Sequence, residues 1–340
     1  MDTRQLRYFA AIYDRGSLSA AAEVERIAVS ALSYHLANLE AELGTVLFDR
    51  KPRGLRPTAA GERLNTHARA ILKAVENATR DMSAIRDTIS GEIAVGLAYS
   101  AVKAIGVDLA SRVLAQYPDL KLTLTESLSG TTLTHLSAAD VDLALVYNPP
   151  QTPLLRTKPL LEETMVLVGR RDMIGDTDDP IPVAELLHLP IILLRQGVSA
   201  RALLEDAQLL RKLEARARLH MNSVQAIAGS LMAGLGCAIG TKLFMREHIE
   251  SGALHWRPIV DPVLTRTLHL CDLADRPPTI ALETVRDLIL DLVRDAVEAG
   301  MWEARLAEDV SGVARQSYPS SKMDADGERT TRPLRHETRS

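Results

Sequence analysis

"GSLSAAAEVERIAVSALSYHLANLEAELG", residues 16–44, decides how the chain begins. Gly16 ends one helix, and Ser17 is placed to cap another of about residues 18–25. A turn around Arg26–Ala28 leads into a third helix, where Leu32, Leu36, Leu39 and Leu43 recur as an apolar stripe facing a small core. The opposite side carries Ser30, Ser33, Tyr34 and Asn38. That face is neither apolar nor strongly charged, which suits a surface that contacts a partner better than one merely solvated. Upstream, residues 3–14 predict a first helix with Leu6, Phe9, Ala10 and Tyr13 turned inward. Three short helices with a tight turn between the last two predict a helix-turn-helix.

Downstream lies "LFDRKPRGLRPT", residues 47–58. Pro52, Gly54 and Pro57 forbid helix there, and Arg50, Lys51, Arg53 and Arg56 face only Asp49 in charge. The pattern predicts a small hairpin, a wing, and a basic wing beside a helix-turn-helix suits phosphate contact. From Ala59 to Ile89 there is no proline, and no glycine after Gly61. Leu64, Ala68, Ile71, Val75, Ala78, Met82, Ile85 and Ile89 then follow a strict heptad, the seam of a paired coiled coil.

After Gly91 the texture changes. "GEIAVGLA", "KLTLTE", "VDLALVY", "TMVLVG", "PIILL", "ARLHM" and "CAIGT" read as strands, with helical stretches over 101–116, 131–138, 199–213 and 223–234. A strand at 265–272 and a helix near 279–299 close the region. This alternation predicts parallel sheets covered by helices. Residues 303–340, rich in Ser, Arg, Asp and Pro, are expected to be disordered. The expected organisation is a reading head over 1–58, a dimerisation helix over 59–90 and a two-lobed α/β unit over 91–302. Its first lobe takes 91–158 and 267–302, its second 159–266.

Composition narrows the function. The chain has 340 residues, 46% hydrophobic, and a formal net charge of −4, which argues against coating nucleic acid by bulk charge but leaves room for a locally basic head. Cys237 and Cys271 sit in apolar runs and read as buried free thiols in a reducing compartment. The start lacks an apolar signal core and no run reaches membrane length, so a cytoplasmic protein without a membrane partner is expected. Ser100-Ala-Val-Lys103 lacks the companion motifs of the acyl-transfer enzymes it superficially matches. "GLGCAIGT" runs from helix into strand, the reverse of a nucleotide-binding loop. The nine histidines, His35 and His220 among them, lack metal spacing. No enzyme site, cofactor or metal is expected.

"RQLRYFAAIYDRGSLSAAAEV", "ALSYHLANLEAELGTVLFDR" and "GLRPTAAGERL" together resemble the DNA-binding domain of LysR-type transcriptional regulators. The resemblance runs to about residue 300, and "THARAIL", "GEIAVGLA" and "VDLALVY" are most similar to the nitrogen assimilation control-type subgroup. It implies a winged helix-turn-helix, a linker helix pairing two chains and a periplasmic-binding-protein-like effector domain of α/β class. It also implies a dimer of dimers on promoter half-sites, with RNA polymerase as a further partner. One departure matters: where many members have Ser-Gln-Pro, this chain has Ala28, Val29 and Ser30, so the usual base-pairing amide and capping hydroxyl are absent. The residues expected at DNA are Ser17, Val29, Ser30, Ser33, Tyr34, Asn38, Arg50, Arg53 and Arg56, with Val29 against a thymine methyl.

Two crossings between lobes, near Pro153–Leu160 and Leu264–Thr267, imply a hinge and a cleft. Ser100, then Ser129, Gly130 and Thr131, then Gln196, Gly197 and Ser199, each follow a strand and open a helix, matching where the family's effector contacts lie. Such helix starts predict a small anionic metabolite. The competing expectation is a solute-binding or catalytic α/β protein with an incidental helical N-terminus; ordinary helix caps would equally explain the serines.

Overall fold

The computed structural model describes residues 1–51, 54–83, 89–194 and 207–311. The head is built from α1 (Thr3–Arg15), α2 (Leu18–Glu25), α3 (Val29–Leu43) and the hairpin β1 (Phe48–Lys51) and β2 (Gly54–Pro57). Asp2 and Gln5 form a capping box at the start of α1, and Gly16 ends it in the left-handed region. Leu6, Tyr8, Phe9, Ile12, Ala21, Ala22, Leu32, Leu39, Leu47 and Phe48 make the core. Two inward assignments are corrected. Ala10 is only half-buried, and Tyr8 and Ile12 seal α1 instead. Leu43 is exposed, because α3 ends at Gly44 beyond the reach of the head's core.

Helix α4 (Ala59–Ser83) leaves the head. Ala68 is buried in the head core with Leu64 and Leu72 against it, and Tyr13–Glu62 and Arg69–Asp14 contacts fix the helix on α1. Further along the same seam Ile71, Val75 and Ala78 are exposed. The seam therefore changes partner midway: its first residues serve the head, and its next ones face outward. Lys73 pairs with the buried Asp142 at 2.8 Å, tying this helix to the α/β region. Ile85 and the side chain of Met82 lie outside the described residues, and the last expected seam position, Ile89, is corrected: it packs against the first lobe's core.

The first lobe is a six-stranded sheet in the order β14-β6-β13-β5-β3-β4. Its strands are β3 (Gly91–Leu97), β4 (Leu120–Glu126), β5 (Leu143–Tyr147), β6 (Leu155–Thr164), β13 (Thr265–Leu273) and β14 (Arg305–Leu306). Every residue of β5 is buried. Leu143, Leu145 and Tyr147 join one core with Ile105, Leu109, Val285 and Ile289, while Ala144 and Val146 join another with Leu133 and Leu136. Covered on both faces, β5 has to be apolar throughout. Helix α5 (Tyr99–Ala101, a π-helical turn Val102–Gly106, and Val107–Gln116) lies on one side, and α6 (Ser129–Ser137) on the other.

The sheet corrects the expectation of parallel pairing throughout. β3 is parallel to β4 and β5, but β13 runs antiparallel to both β5 and β6. The chain leaves this lobe along β6 and returns along β13, so the two must lie side by side in opposite directions. They stay paired from Leu155 to Thr164, which moves the first crossing to Thr164–Met165, past the expected Pro153–Leu160, while the return at Leu264–Thr265 falls within the expected Leu264–Thr267. β6 itself was hidden by its charges and Pro159. The ladder shifts register between Leu268 and His269, a bulge that accommodates the proline's missing donor.

The second lobe packs β7 (Val166–Gly169) between β11 (Ala238–Gly240) and β12 (His255–Val260), both antiparallel to it. β8 (Ile181–Pro182) edges β12, and β9 (Ile192–Leu194) pairs in parallel with β10 (Leu219–Met221). Helices α7 (Ala207–Arg216) and α8 (Val224–Met232) cover these strands. Helix α9 (Ile280–Glu298) completes the first lobe.

The expected disorder from residue 303 is also corrected. Trp302 is buried, β14 adds to β6 through Arg305 opposite Glu162, and α10 (Glu308–Ser311) puts Val310 into the first lobe's core. The Trp302 indole and the aliphatic side chains of Leu306 and Val310 suffice because β6 offers a free strand edge for backbone pairing. Residues 312–340 lie outside the described residues.

Candidate DNA-reading head and interlobe site

The outward side of α3 carries Val29, Ser30, Tyr34 and Asn38, all exposed, with Ser33 half-buried beside them. Tyr34 is the most prominent at 66% exposure, its ring edge-on to His35, which in turn stacks toward Tyr8. Ala37 and Ala41 are exposed on the same helix, and their short side chains leave the backbone open to close approach. The N-cap is Ala28 and no side chain caps the helix, so Ser30 does not take over that task. Its hydroxyl stays available. Ser17 caps α2 by accepting from the Ala20 amide at 3.5 Å and is half-buried, one step behind the reading face.

The wing flanks this face. Asp49 lies opposite Arg56 and Arg50 opposite Leu55, and Arg50, Lys51 and Arg56 are all exposed. Lys51 reaches Asp49 only at 3.8 Å. Arg53 lies outside the described residues. The hairpin is held to the head where the Leu55 amide donates to the Gly16 carbonyl at 2.7 Å. Gly54, at φ +127°, makes that approach possible, since a Cβ there would sit 2.4 Å from the same carbonyl. Gly54→Ala should therefore cost about 1–3 kcal/mol in strain and displace the wing. A lowered melting temperature together with weakened DNA retention checks this; unchanged retention would mean that the wing is dispensable.

The second site lies between the lobes, a cavity of about 80 Å³. Residues Ala98–Ser100, Ser127–Ser129 and Tyr147 line it from the first lobe, and Ile192, Ile227, Ile239, Thr241 and Phe244 from the second. Leu243 inserts into the first lobe's core, and Phe244 meets Tyr99 with ring centroids 6.1 Å apart. Lys103 pairs with Glu247 at 3.0 Å and Lys242 with Glu303 at 2.9 Å, so the C-terminal segment straps the lobes as well. The Lys103 ammonium, hydrogen-bonded to Glu247, holds that carboxyl below its usual range.

Only part of the expected set meets here. Ser100 and Ser129 line the cavity, but neither caps a helix. The Ser100 hydroxyl accepts from Arg266 at 3.0 Å, and that of Ser129 accepts from the Tyr147 amide at 3.1 Å. Gly130 does not line it, and Thr131 is exposed; Thr132 is the buried threonine, its hydroxyl 2.7 Å from that of Ser127. A helix turns its side chains by about 100° per residue, so adjacent positions cannot share a face. Gln196, Gly197 and Ser199 lie outside the described residues.

What sequence reasoning missed is Arg266. Its side chain is 12% exposed, stacks 3.7 Å over the Tyr147 ring and bonds Glu163 at 2.8 Å. The other oxygen of Glu163 accepts from the Trp302 indole at 2.7 Å. The Tyr147 hydroxyl lies beside Ser100 and Glu163 without a hydrogen bond of proper geometry, and burial pushes its phenol well above the usual value. These residues come from β5, β6, β13 and the C-terminal segment, and no local spacing links them. Cys237 and Cys271 are buried, which pushes both thiols up to about 12.

Comparison with known proteins matches both regions of the chain. Residues 3–62 match the bacterial regulatory helix-turn-helix protein, lysR family, and residues 86–294 match the LysR substrate binding domain. The chain belongs to the LysR family of transcriptional regulators. It is 34% identical to the nitrogen assimilation regulatory protein nac of Klebsiella aerogenes, over 86% of this chain and 95% of that one. Against nac of Escherichia coli (strain K12) the identity is 31%, over 89% and 99%. Among solved structures, a full-length OxyR variant from Pseudomonas aeruginosa shares the fold with a TM-score of 0.63, at 22% identity, covering 86% of this chain and 95% of that one. Full-length CbnR complexed with its target DNA does so with a TM-score of 0.58, at 19% identity, covering 87% and 100%. Membership in this non-enzymatic family, matched across head and α/β region alike, sets aside the solute-binding or catalytic alternative. Among the described residues of this LysR-family regulator, no helix is long and apolar enough to cross a membrane.

Proposed function

We propose that this LysR-family regulator works in the cytoplasm, binds promoter half-sites as a dimer of dimers, and responds to a small molecule held between the lobes. RNA polymerase is its downstream partner. The observation that carries the reading is the exposed face of α3, with Val29, Ser30, Ser33, Tyr34 and Asn38, flanked by the exposed wing arginines. A helix of this kind fits a major groove, where hydroxyls and the Asn38 amide reach base edges and Val29 meets a thymine methyl. Arg50 and Arg56, with Arg53 between them in sequence, are assigned to the phosphates. Ser17 acts on DNA through its cap on α2.

The roles separate in one experiment. Arg56→Ala should weaken all sequences alike and lower the salt slope of binding by about one unit. Val29→Gln should instead change base preference at one position of each half-site. Selection from a randomised half-site library at two salt concentrations measures both. A changed base preference in Arg56→Ala with an unchanged salt slope would show the roles to be assigned wrongly.

A further inference from the structure

We propose that the interlobe cavity takes a small uncharged ligand, with an apolar body and a hydrogen-bond acceptor, in place of the anion that the helix starts suggest. This rests on the cavity being the effector site.

The charge balance comes first. Arg266 is the one charged residue among those described around the cavity, and it is already paired with Glu163, itself 1% exposed. Both oxygens of Glu163 are engaged, one by Arg266 and one by the Trp302 indole. Among the described residues the site is thus neutral before any ligand enters. A carboxylate placed there would add a third charge with no cation among those residues left to match it.

The available polar atoms point the same way. The hydroxyls of Ser100 and Ser129 accept from Arg266 and from the Tyr147 amide, bonds that do not use their own O–H donors. Two hydroxyls lining the cavity have no hydrogen-bond partner among the described residues, those of Tyr147 and Thr241, on residues 3% and 4% exposed. Each can donate to an acceptor such as a carbonyl or ether oxygen. Buried groups of this kind are expensive to leave unpaired, so a ligand that accepts from them gains more than one that merely fills space. Ile192, Ile227, Ile239 and Phe244 supply the apolar wall.

The test uses matched pairs of probes on the full chain, from acetamide and acetate up to benzamide and benzoate, by titration calorimetry at millimolar concentration. At least one amide should bind wild type roughly ten-fold or more tightly than its carboxylate. Thr241→Val should weaken that amide, and Glu163→Gln, which frees the charge of Arg266, should reverse the preference toward the carboxylate. Should Glu163→Gln fail to fold, the wild-type ratio and Thr241→Val decide alone. A carboxylate that binds wild type as tightly as its amide, with binding lost in Arg266→Met, overturns the proposal and leaves the cavity as the effector site. If no probe of either kind binds wild type, the effector reading fails and the proposal falls with it.

Discussion

Ile71→Asp will convert the regulator's assemblies to monomers while leaving the head folded. Ile71 is 37% exposed and Val75 46% exposed on α4, on a stretch of the heptad seam that belongs to no hydrophobic core among the described residues. A carboxylate at Ile71 therefore meets water in the single chain and a dry apolar surface only in a paired one. Burying it unpaired costs on the order of several kcal/mol per chain. Ala68→Asp is the informative contrast, since Ala68 is buried in the head and that change should unfold it. With pairing lost, each head loses its partner's effective concentration, and half-site binding should weaken roughly a hundred-fold or more. Sedimentation velocity and retention on a two-half-site fragment measure the two effects. An unchanged sedimentation coefficient would show that the exposed seam is not the pairing surface.

Arg266→Met should be the most damaging change away from the DNA-binding head. It leaves the carboxylate of Glu163 buried with only the Trp302 indole as donor, and breaking a buried pair from one side costs about 3–5 kcal/mol. Adding Glu163→Leu removes the stranded charge, so the double variant should regain most of that loss, leaving the Trp302 N–H as the residual defect. Urea denaturation of both variants, with DNA binding as a control on the head, tests this. If the double variant is no more stable than Arg266→Met, the loss reflects packing of the guanidinium on Tyr147 and not the unpaired carboxylate. The same cluster explains why the segment after residue 302 is ordered: Trp302 ties it to Glu163, Arg305 to Glu162, and Lys242 reaches across to Glu303.

The head was legible because its signals are local. Gly16 and Gly44 mark helix ends through the left-handed conformation and Ser17 marks a start through its side-chain cap, and Leu32 and Leu39 recur at the helical period. Exposure of Tyr34 and Asn38 follows from the same geometry. The strands GEIAVGLA and VDLALVY were equally plain, since their fully covered stretches, Val95–Leu97 and Leu143–Tyr147, are apolar at every position.

The misses share a cause. β6 carries charges and Pro159, and only its pairing with β13 makes it a strand. Residues 303–311 carry too few apolar side chains to fold alone, yet order against the edge of β6 and the pocket left for Trp302. The division of the α4 seam between head core and exposed surface depends on where the α1 surface ends. Serines after strands suggested caps, whereas the hydroxyls of Ser100 and Ser129 accept from partners far along the chain. Sequence by itself determined the helix-turn-helix, the exposed side of its third helix, the long helix α4 and the α/β texture, all governed by interactions within a few residues. Tertiary structure alone decided the antiparallel β6–β13 pair and the charge balance of the cavity. Arg266, Glu163 and Trp302 meet only after the lobe has closed, and no periodicity records a contact between residues so far apart.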